Sequence, residues 1–234
     1  MDTMSNFTLF SQIRDHNREE AKKTLLAKHP SLEQLFKQMD VYMGQLVLFL
    51  NDKPTYDYKD KYHLPLAVTF IRLHYSIIDF LLSCDIIEAS VLLRKQVEIL
   101  ARYHEVEQGI KPKGKGSANV HLISDKNIQK RIYGNLCDIA HYTKDESYYY
   151  LGYDNIDEDP NAPTVISTLA EYGEKVMNTV SDFCEVFDYF CMLMQKYQKH
   201  LDANYKADSE NAWHKYEFEP TGKKLGLKYF VDTF

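Results

Sequence analysis

Apolar residues recur at helical spacing along most of this chain, and few residues interrupt the pattern. The clearest run follows a capping-box pattern at Ser31 and Gln34. It comprises Leu32, Leu35, Phe36, Met39, Met43, Leu46 and Leu50. Only nine glycines and seven prolines occur in 234 residues, whereas a β-sandwich or barrel needs a turn every few residues. No segment alternates as a half-buried strand does, so the sequence predicts an all-α fold.

Breaks in the pattern divide the chain into four parts that we expect to form one domain, a single bundle of about six helices. An N-terminal helical hairpin covers residues 1–62, and central helices that carry the candidate motifs cover 63–145. A long helix falls within 164–206, and the tail over 207–234 is expected to fold across the bundle.

Three helices are expected in the central part. The first runs from about Pro65 to Ser83, with the proline in its first turn, where a missing N–H costs nothing. The second opens at a capping box formed by Asp85 and Glu88. The third begins at Asp125, a residue type that favours helix N-termini.

The last helix is expected to be unusually long. Thr168 and Glu171 form its cap, and the apolar pattern reaches Tyr205. A helix of that length would measure about 55 Å at 1.5 Å per residue, which exceeds a compact domain of this size. We therefore expect either a bend near Gly173 or Asp188, or an end that projects and packs on a partner.

Charge and cysteine content favour a cytoplasmic protein. The formal charge of −6 argues against nucleic-acid binding by bulk electrostatics, although it leaves room for a local basic patch. The cysteines form no CxxC pair, which favours buried thiols in a reducing compartment; they are Cys84, Cys137, Cys184 and Cys191.

Neither the N-terminal segment nor the most apolar stretch of the sequence suggests a secreted or membrane protein. The first apolar residues are mixed with charges, so no signal peptide is expected. The most apolar stretch, Leu64 to Leu82, contains Arg72, His74 and Asp79. These polar residues favour a helix of the core over a membrane span.

Several familiar sites are missing from the sequence. It has no glycine-rich phosphate loop, no HExxH, no GxSxG and no kinase signature, so we expect no cofactor. The acidic run Asp154 to Asp159 lacks the register of a calcium loop, and we expect no metal. One flexible basic loop favours a solvated linker, with a polyanion such as RNA as the alternative contact; its cations are Lys111, Lys113 and Lys115.

Arg94, Glu98 and Arg102 are spaced four residues apart on the second central helix. This spacing allows Arg94 to pair with Glu98, and Glu98 to pair with Arg102. Arg94 and Glu98 lie outside the main apolar arc, beside further apolar residues. Two interpretations stay open: an exposed structural salt bridge, and a polar network that faces a cleft or a subunit interface.

His141 ends the third central helix. Its face also carries Gly134 and Cys137, small residues that would let another helix approach closely. No second histidine or carboxylate stands four residues away, so a metal site is not expected. Either His141 is a hydrogen-bonded structural residue or it contacts a substrate or ligand, whereas His74 and His104 stand in no pattern.

The motifs on these two helices carry a family resemblance. The segment Ala89-Ser-Val-Leu-Leu-Arg94-Lys-Gln-Val-Glu98, followed by Tyr133-Gly-Asn-Leu136-Cys-Asp-Ile-Ala140-His141, resembles uncharacterised bacterial all-helical families. These share an A-x-x-L-x-R-x-x-x-E helix and a Y-x-x-L-S-x-x-x-H helix. They are similar to abortive-infection and HEPN-like proteins, many of which are ribonuclease toxins or helpers in phage defence. The resemblance spans about residues 64–145.

One departure bears directly on activity. HEPN-type ribonucleases place an arginine four to six residues before the histidine, and the two side chains act across a dimer. The resemblance implies that His141 acts as acid or base on the ribose 2′-hydroxyl or on the leaving oxygen, and that an arginine meets the developing phosphate charge. The stretch from Gly134 to Cys137 contains no arginine. Either Arg94 completes the pair or the activity is absent, and we favour absence.

Two main functions follow. The first is a helical binding or regulatory protein, dimeric, with a possible protein partner, from a phage-defence or toxin–antitoxin system. The alternative is a metal-independent ribonuclease that uses His141 with Arg94 and Glu98, or with Arg131 as the phosphate contact. The ribonuclease hypothesis predicts that Arg94, Glu98 and His141 converge in one accessible groove. A third class, a small-ligand sensor, predicts an apolar pocket between helices that is edged by tyrosines and by the Arg94–Glu98 pair.

Overall fold

A computed structural model describes residues 3–51, 59–110, 116–141, 173–203, 205 and 213–231, and within these ranges all regular structure is helical. The all-α prediction is confirmed, including the long helix near the C-terminal end. The helices are α1 (Thr3–Lys28), α2 (Ser31–Asn51), α3 (Asp60–Leu82), α4 (Ile86–Glu107), α5 (Tyr133–His141), α6 (Gly173–Leu201), α7 (Glu219–Lys224) and α8 (Lys228–Val231).

The core lies where α2, α3, α4 and α6 meet. The phenyl rings of Phe70 on α3 and Phe190 on α6 stack with centroids 3.8 Å apart and planes 6° from parallel. Phe36 on α2 meets the edge of Phe183 on α6 at 6.4 Å. All four rings are at least 97% buried. The apolar run that begins at Leu32 supplies the α2 face of this core, as its helical spacing predicted.

α3 begins earlier than the sequence predicted. It starts at Asp60, so Pro65 lies inside the helix and not in its first turn. A proline has no N–H to donate to the carbonyl four residues back, which weakens the helix at this point. Asp60 and His63, in the first turns of α3, are both buried. Such tertiary packing can keep a segment helical although a proline lies within it. Thr69 Oγ1 in turn donates to the Pro65 carbonyl at 2.7 Å.

The predicted capping box at Asp85 and Glu88 is wrong. Asp85 does occupy the N-cap position of α4, but its carboxylate makes no capping hydrogen bond. It pairs instead with Arg18 of α1, with Nη2 and Oδ2 2.9 Å apart. The preceding residue, Cys84, has φ of +60°, which turns the chain sharply between α3 and α4.

The segment leading into α5 begins as predicted at Asp125. Its Oδ1 atom accepts hydrogen bonds from the backbone N–H groups of Asn127 at 2.8 Å and Ile128 at 3.0 Å. A π-helical turn from Asn127 to Ile132 follows and runs directly into α5. α5 then packs against α4.

α6 has 29 described residues from Gly173 to Leu201, a length of about 44 Å. It ends four residues before the expected end at Tyr205 and passes through Asp188 as continuous helix. The predicted caps at Thr168 and Glu171 lie outside the described residues. The projecting end was predicted for a helix of about 55 Å, and the described helix is shorter than that.

The C-terminal segment folds onto α2 and α6. Phe218, Leu227 and Phe230 are at least 97% buried, and Trp213 stacks on Tyr42 of α2 with ring centroids 5.5 Å apart. The Tyr229 hydroxyl donates to Asp188 of α6. These contacts bring the tail into the core of the bundle.

α3 is the one helix in the described part of the chain that is long and apolar enough to cross a membrane by length and composition. Its buried face carries Phe70, Ile77 and Leu81, which pack into the common core. This packing agrees with the core helix predicted from the sequence.

Cytoplasmic location stays a prediction. The cysteines are free thiols, three buried and Cys137 partly exposed.

Candidate functional site

α4 and α5 pack against each other and bring Arg94 and His141 into direct contact. Arg94 Nη1 lies 2.9 Å from His141 Nε2. A guanidinium has donors only, so Nε2 accepts this hydrogen bond and the ring proton lies on Nδ1. The two residues are 47 positions apart in the chain. The contact is thus a product of the fold and not of helical spacing.

Glu98 is the acidic member of the cluster. Its Oε1 atom lies 3.5 Å from Arg94 Nε, one turn back on α4, and its Oε2 atom lies 3.1 Å from Lys95 Nζ. One carboxylate therefore faces two cations. The arrangement holds the Arg94 guanidinium along the helix surface with its Nη1 end toward α5.

Tyr133 lies beneath the same guanidinium. Arg94 Cζ is 5.7 Å from the centre of the Tyr133 ring, a distance at which a cation and an aromatic face attract. Burial raises the pKa of the Tyr133 phenol, and the hydrogen bond with Arg94 opposes that rise. Tyr133 therefore keeps its proton, and its phenol oxygen accepts the hydrogen bond from the arginine.

The cluster of Arg94, Lys95, Glu98, Tyr133 and His141, here called the α4–α5 cluster, reaches the surface. His141 is exposed, and the Arg94 and Glu98 side chains are 22% and 20% exposed. Two cations against one carboxylate leave a positive surplus. Such a surface suits an anion that can accept hydrogen bonds from the guanidinium.

The structure brings three of the predicted residues together, while Arg102 and Arg131 make their contacts elsewhere. Arg94, Glu98 and His141 meet in the α4–α5 cluster. The Glu98–Arg102 pair that the spacing allowed does not form, because Arg102 donates to Glu105 and to the Gly116 carbonyl. Lys111, Lys113 and Lys115 lie outside the described residues.

Arg131 does not contact His141 and instead pairs with acidic residues of α6. Its Nη1 atom lies 2.8 Å from Asp182 and its Nη2 atom 3.3 Å from Glu185, both on α6. Its Nε atom donates to Asn127 at 2.7 Å. These contacts tie the π-helical turn that precedes α5 to α6. Arg131 is therefore a structural residue, and Arg94 is the arginine that the fold presents to His141.

Gly134, one of the two small residues on the His141 face, has no helix packed against it within the described residues. No heavy atom of the described residues lies within 4 Å of a Cβ placed on Gly134. A helix packed closely on this face would occupy that space. Within the described ranges, then, Gly134 marks open space and not a close helix contact.

Sequence reasoning assigned no role to Lys95 or Tyr133. Tyr133 was visible as part of the Y-x-x-L motif, and it stands eight residues before His141, which places both on one helix face. That spacing was the available signal. Nothing local indicated that Lys95 would share Glu98 with Arg94.

No group of three or more histidine, cysteine, aspartate or glutamate side chains within the described ranges is placed to hold a metal ion. Comparison with known proteins found no matching protein-family model, no matching curated protein and no matching solved structure. The resemblance to HEPN-like and abortive-infection proteins therefore stays a prediction.

Proposed function

We propose that the α4–α5 cluster binds the phosphodiester backbone of RNA and cleaves it without a metal ion. The observation that carries this proposal is the 2.9 Å contact between Arg94 Nη1 and His141 Nε2. It places a permanent cation and an unprotonated imidazole nitrogen within reach of one phosphodiester. These are the two groups that attack by a ribose 2′-hydroxyl requires.

The reaction follows from the chemistry of the two side chains. RNA binding moves the guanidinium from Nε2 to the non-bridging phosphate oxygens, which it can meet with paired N–H donors. The freed Nε2 takes the proton of the 2′-hydroxyl, and the 2′-oxygen attacks phosphorus. The P–O5′ bond breaks, and solvent protonates the leaving oxygen. The products are a 2′,3′-cyclic phosphate and a 5′-hydroxyl.

Glu98 and Tyr133 position Arg94 in this scheme. The carboxylate holds the Nε side of the guanidinium from one helical turn away, and the Tyr133 ring supports its face. Lys95, also bound to Glu98, adds a second cation that attracts the polyanion. In this proposal, Arg94 from α4 takes the place of the arginine that is missing before His141.

A non-catalytic binding or regulatory protein is the second candidate. One observation favours it: in the resting arrangement Arg94 occupies the lone pair of Nε2 that a general base needs. If this bond persists with RNA bound, the cluster recognises phosphate and leaves the chain intact. Such a protein would bind RNA through Arg94 and Lys95 and would show no turnover.

The deciding experiment incubates the full-length protein with an end-labelled mixed RNA pool in EDTA. Wild type is compared with Arg94→Ala, His141→Ala and, as a matched control, His121→Ala, which alters an exposed histidine outside the cluster. We expect cleavage by wild type and His121→Ala, and a loss of about 10²- to 10⁴-fold in His141→Ala. Filter binding on the same samples measures affinity separately.

The results separate the two candidates. RNA binding that depends on Arg94, without cleavage by any sample, supports the binding protein and overturns the nuclease. Cleavage that survives in His141→Ala also overturns the nuclease site. Absence of both cleavage and Arg94-dependent binding overturns both functions of the α4–α5 cluster.

A further inference from the structure

A polar cavity lies on the side of α5 that faces away from the α4–α5 cluster. Its volume is about 280 Å³, and residues of α4, α5, α6, α8 and the π-helical turn before α5 line it. Asn135 and Ile139 are two of its α5 residues. At about 100° per residue, these positions lie about 180° around the helix from Tyr133 and His141. The polar cavity and the α4–α5 cluster are therefore separate sites.

The lining of the polar cavity indicates what kind of molecule it suits. Nine of its eleven lining residues are charged or carry a hydroxyl or an amide group, and the other two are Leu136 and Ile139. None of these eleven described residues is aromatic. The volume falls just below the range of about 300–1,000 Å³ for drug-sized ligands. A small molecule that forms many hydrogen bonds fits this space better than a flat ring system does.

Cations outnumber carboxylates around the polar cavity. Arg131, Lys175 and Lys228 line it, and Asp182 is the one carboxylate among the described lining residues. Glu185 lies outside the lining and pairs with Arg131 at 3.3 Å. Even when Glu185 is counted, three cations stand against two carboxylates. The polar cavity should therefore attract an anionic group.

Lys228 is the cation best placed to meet such a group. It is exposed at the start of α8, and it forms no ion pair with the residues that the structure describes. Burial raises the pKa of Asp182, and the positive charges of Arg131 and Lys228 oppose that rise. Lys228 is thus close enough to act on the cavity electrostatically while its ammonium group stays available to a ligand.

Several neutral groups in the lining are available for hydrogen bonding. Asn135 and Asn178 are exposed, and their amides form no hydrogen bond with the described part of the chain. Asp182 Oδ1 pairs with Arg131 at 2.8 Å, which leaves Oδ2 to accept from a ligand. The Ser90 hydroxyl is buried and lacks a partner among the described residues, so a polar ligand, or a water held beside it, would offset that cost.

We propose that the polar cavity binds a small phosphorylated sugar. Amides donate and accept and a carboxylate accepts, so Asn135, Asn178 and Asp182 match sugar hydroxyls, which also do both. Lys228 holds the phosphate, and Lys175 adds a second positive charge to the same cavity. A phosphate monoester carries a charge of about −1.5 to −2 at pH 7, so it gains more from two lysines than a carboxylate does. The proposal does not depend on the RNA site.

The test is isothermal titration of the full-length protein with ribose 5-phosphate, glucose 6-phosphate and fructose 6-phosphate. Ribose, glucose, gluconate and inorganic phosphate are titrated separately. We expect at least one sugar phosphate to bind with a dissociation constant below about 1 mM. Lys228→Gln should weaken that binding about tenfold or more, and Asn178→Ala about threefold to tenfold. Lys224→Gln, a matched loss of an exposed lysine four residues earlier, should leave the affinity unchanged.

Each probe has an outcome that overturns the proposal. Failure of all three sugar phosphates to bind overturns it. Binding of the parent sugar or of gluconate as tightly as the sugar phosphates rules out the phosphate contact, and equally tight binding of inorganic phosphate rules out the sugar contacts. An affinity that falls in Arg94→Ala but not in Lys228→Gln would place the ligand at the α4–α5 cluster instead. RNA cleavage is scored separately, so either site can fail alone.

Discussion

Arg18 of α1 and Asp85 at the N-terminus of α4 form an ion pair with 2.9 Å between Nη2 and Oδ2. The Asp85 side chain is only 7% exposed, while that of Arg18 is 36% exposed. The guanidinium also lies 5.9 Å from the centre of the Phe80 ring near the end of α3. The Arg18 side chain thus links the first helix to the end of α3 and to the turn that joins α3 and α4.

Replacing Arg18 with leucine is expected to destabilise the protein by about 1–3 kcal/mol, because it removes a cation that pairs with the buried Asp85 carboxylate. Arg14→Leu is the matched control: its partner Asp15 is the next residue and both are well exposed, so the change costs about 1 kcal/mol or less. Urea unfolding measures both variants. Equal midpoints for the two would show that the Arg18–Asp85 pair contributes nothing.

Two helical glycines are expected to respond in opposite directions to alanine. No described atom lies within 4 Å of a Cβ on Gly44 in α2, so Gly44→Ala should stabilise the protein by about 0.5–1 kcal/mol. A Cβ on Gly222 would overlap the ring of Phe230, a core residue that is 97% buried. We expect Gly222→Ala to cost about 1–3 kcal/mol through displacement of that ring.

Thermal unfolding distinguishes the two glycine variants. A gain of 0.5–1 kcal/mol corresponds to a rise of about 1–4 °C for a chain of this size, and the Gly222 variant should melt lower than wild type. A Gly44→Ala variant that melts lower would mean that its Cβ position is filled in solution.

The sequence predicted the helical class and one side of the candidate site for the same reason. Helical spacing is a local property, so the apolar run on α2 and the one-turn separation of Arg94 and Glu98 could both be identified directly. The meeting of Arg94 with His141 depends on how α4 packs against α5. Only the resemblance pointed to that pairing.

Other features had no local signal. The sequence around Asp85 predicts a helix cap, but its carboxylate forms an ion pair with Arg18 of α1. The polar cavity joins Asn135, Asp182 and Lys228 from three different helices, and each stands alone in the sequence. Long-range packing produces such sites, and spacing within one helix cannot indicate them.

The protein should lose stability in mild acid partly through His74. This residue is fully buried, and its pKa is lowered mainly by burial, with the hydrogen bond to Asp40 at 3.2 Å opposing the shift. The unfolded chain therefore binds a proton near pH 6.5 that the folded chain does not. Stability declines as the pH falls below about 6.5, by up to about 1.4 kcal/mol per pH unit for each such group.

The His74 contribution can be isolated by urea unfolding at pH 7.5 and pH 5.5. We expect the stability of His74→Gln to fall less over this interval than that of wild type, whereas the exposed-residue control His16→Gln should fall as wild type does. His63 remains in all three proteins and contributes its own decline. Identical declines in wild type and His74→Gln would contradict the prediction.

His214 should act in the opposite sense. Its pKa is raised, chiefly by the hydrogen bond to Asp188 at 2.9 Å between Nε2 and Oδ1, although burial opposes the rise. A raised pKa contributes stability that is fully present below about pH 6.5 and is lost as the pH rises through the folded-state value. The stability advantage of wild type over His214→Gln should therefore shrink between pH 6 and pH 9. An advantage that grows with pH would contradict this assignment.

Glu98 supplies the sharpest test of positioning within the α4–α5 cluster, and this prediction rests on the proposed ribonuclease activity. Glu98→Gln keeps the side-chain shape but removes the charge that faces Arg94 and Lys95. A misplaced guanidinium should lower kcat by about ten- to a hundredfold. Removing a negative charge beside a polyanion should leave KM unchanged or lower it.

The matched control for this variant is Glu88→Gln, which removes an exposed carboxylate from the first turn of the same helix. Its kcat should equal that of wild type, and urea unfolding should show that both variants stay folded. A merely structural Glu98 would lower stability without changing kcat at temperatures where the protein is folded. A raised KM with unchanged kcat would instead assign Glu98 to binding, because the loss would then affect ground state and transition state equally.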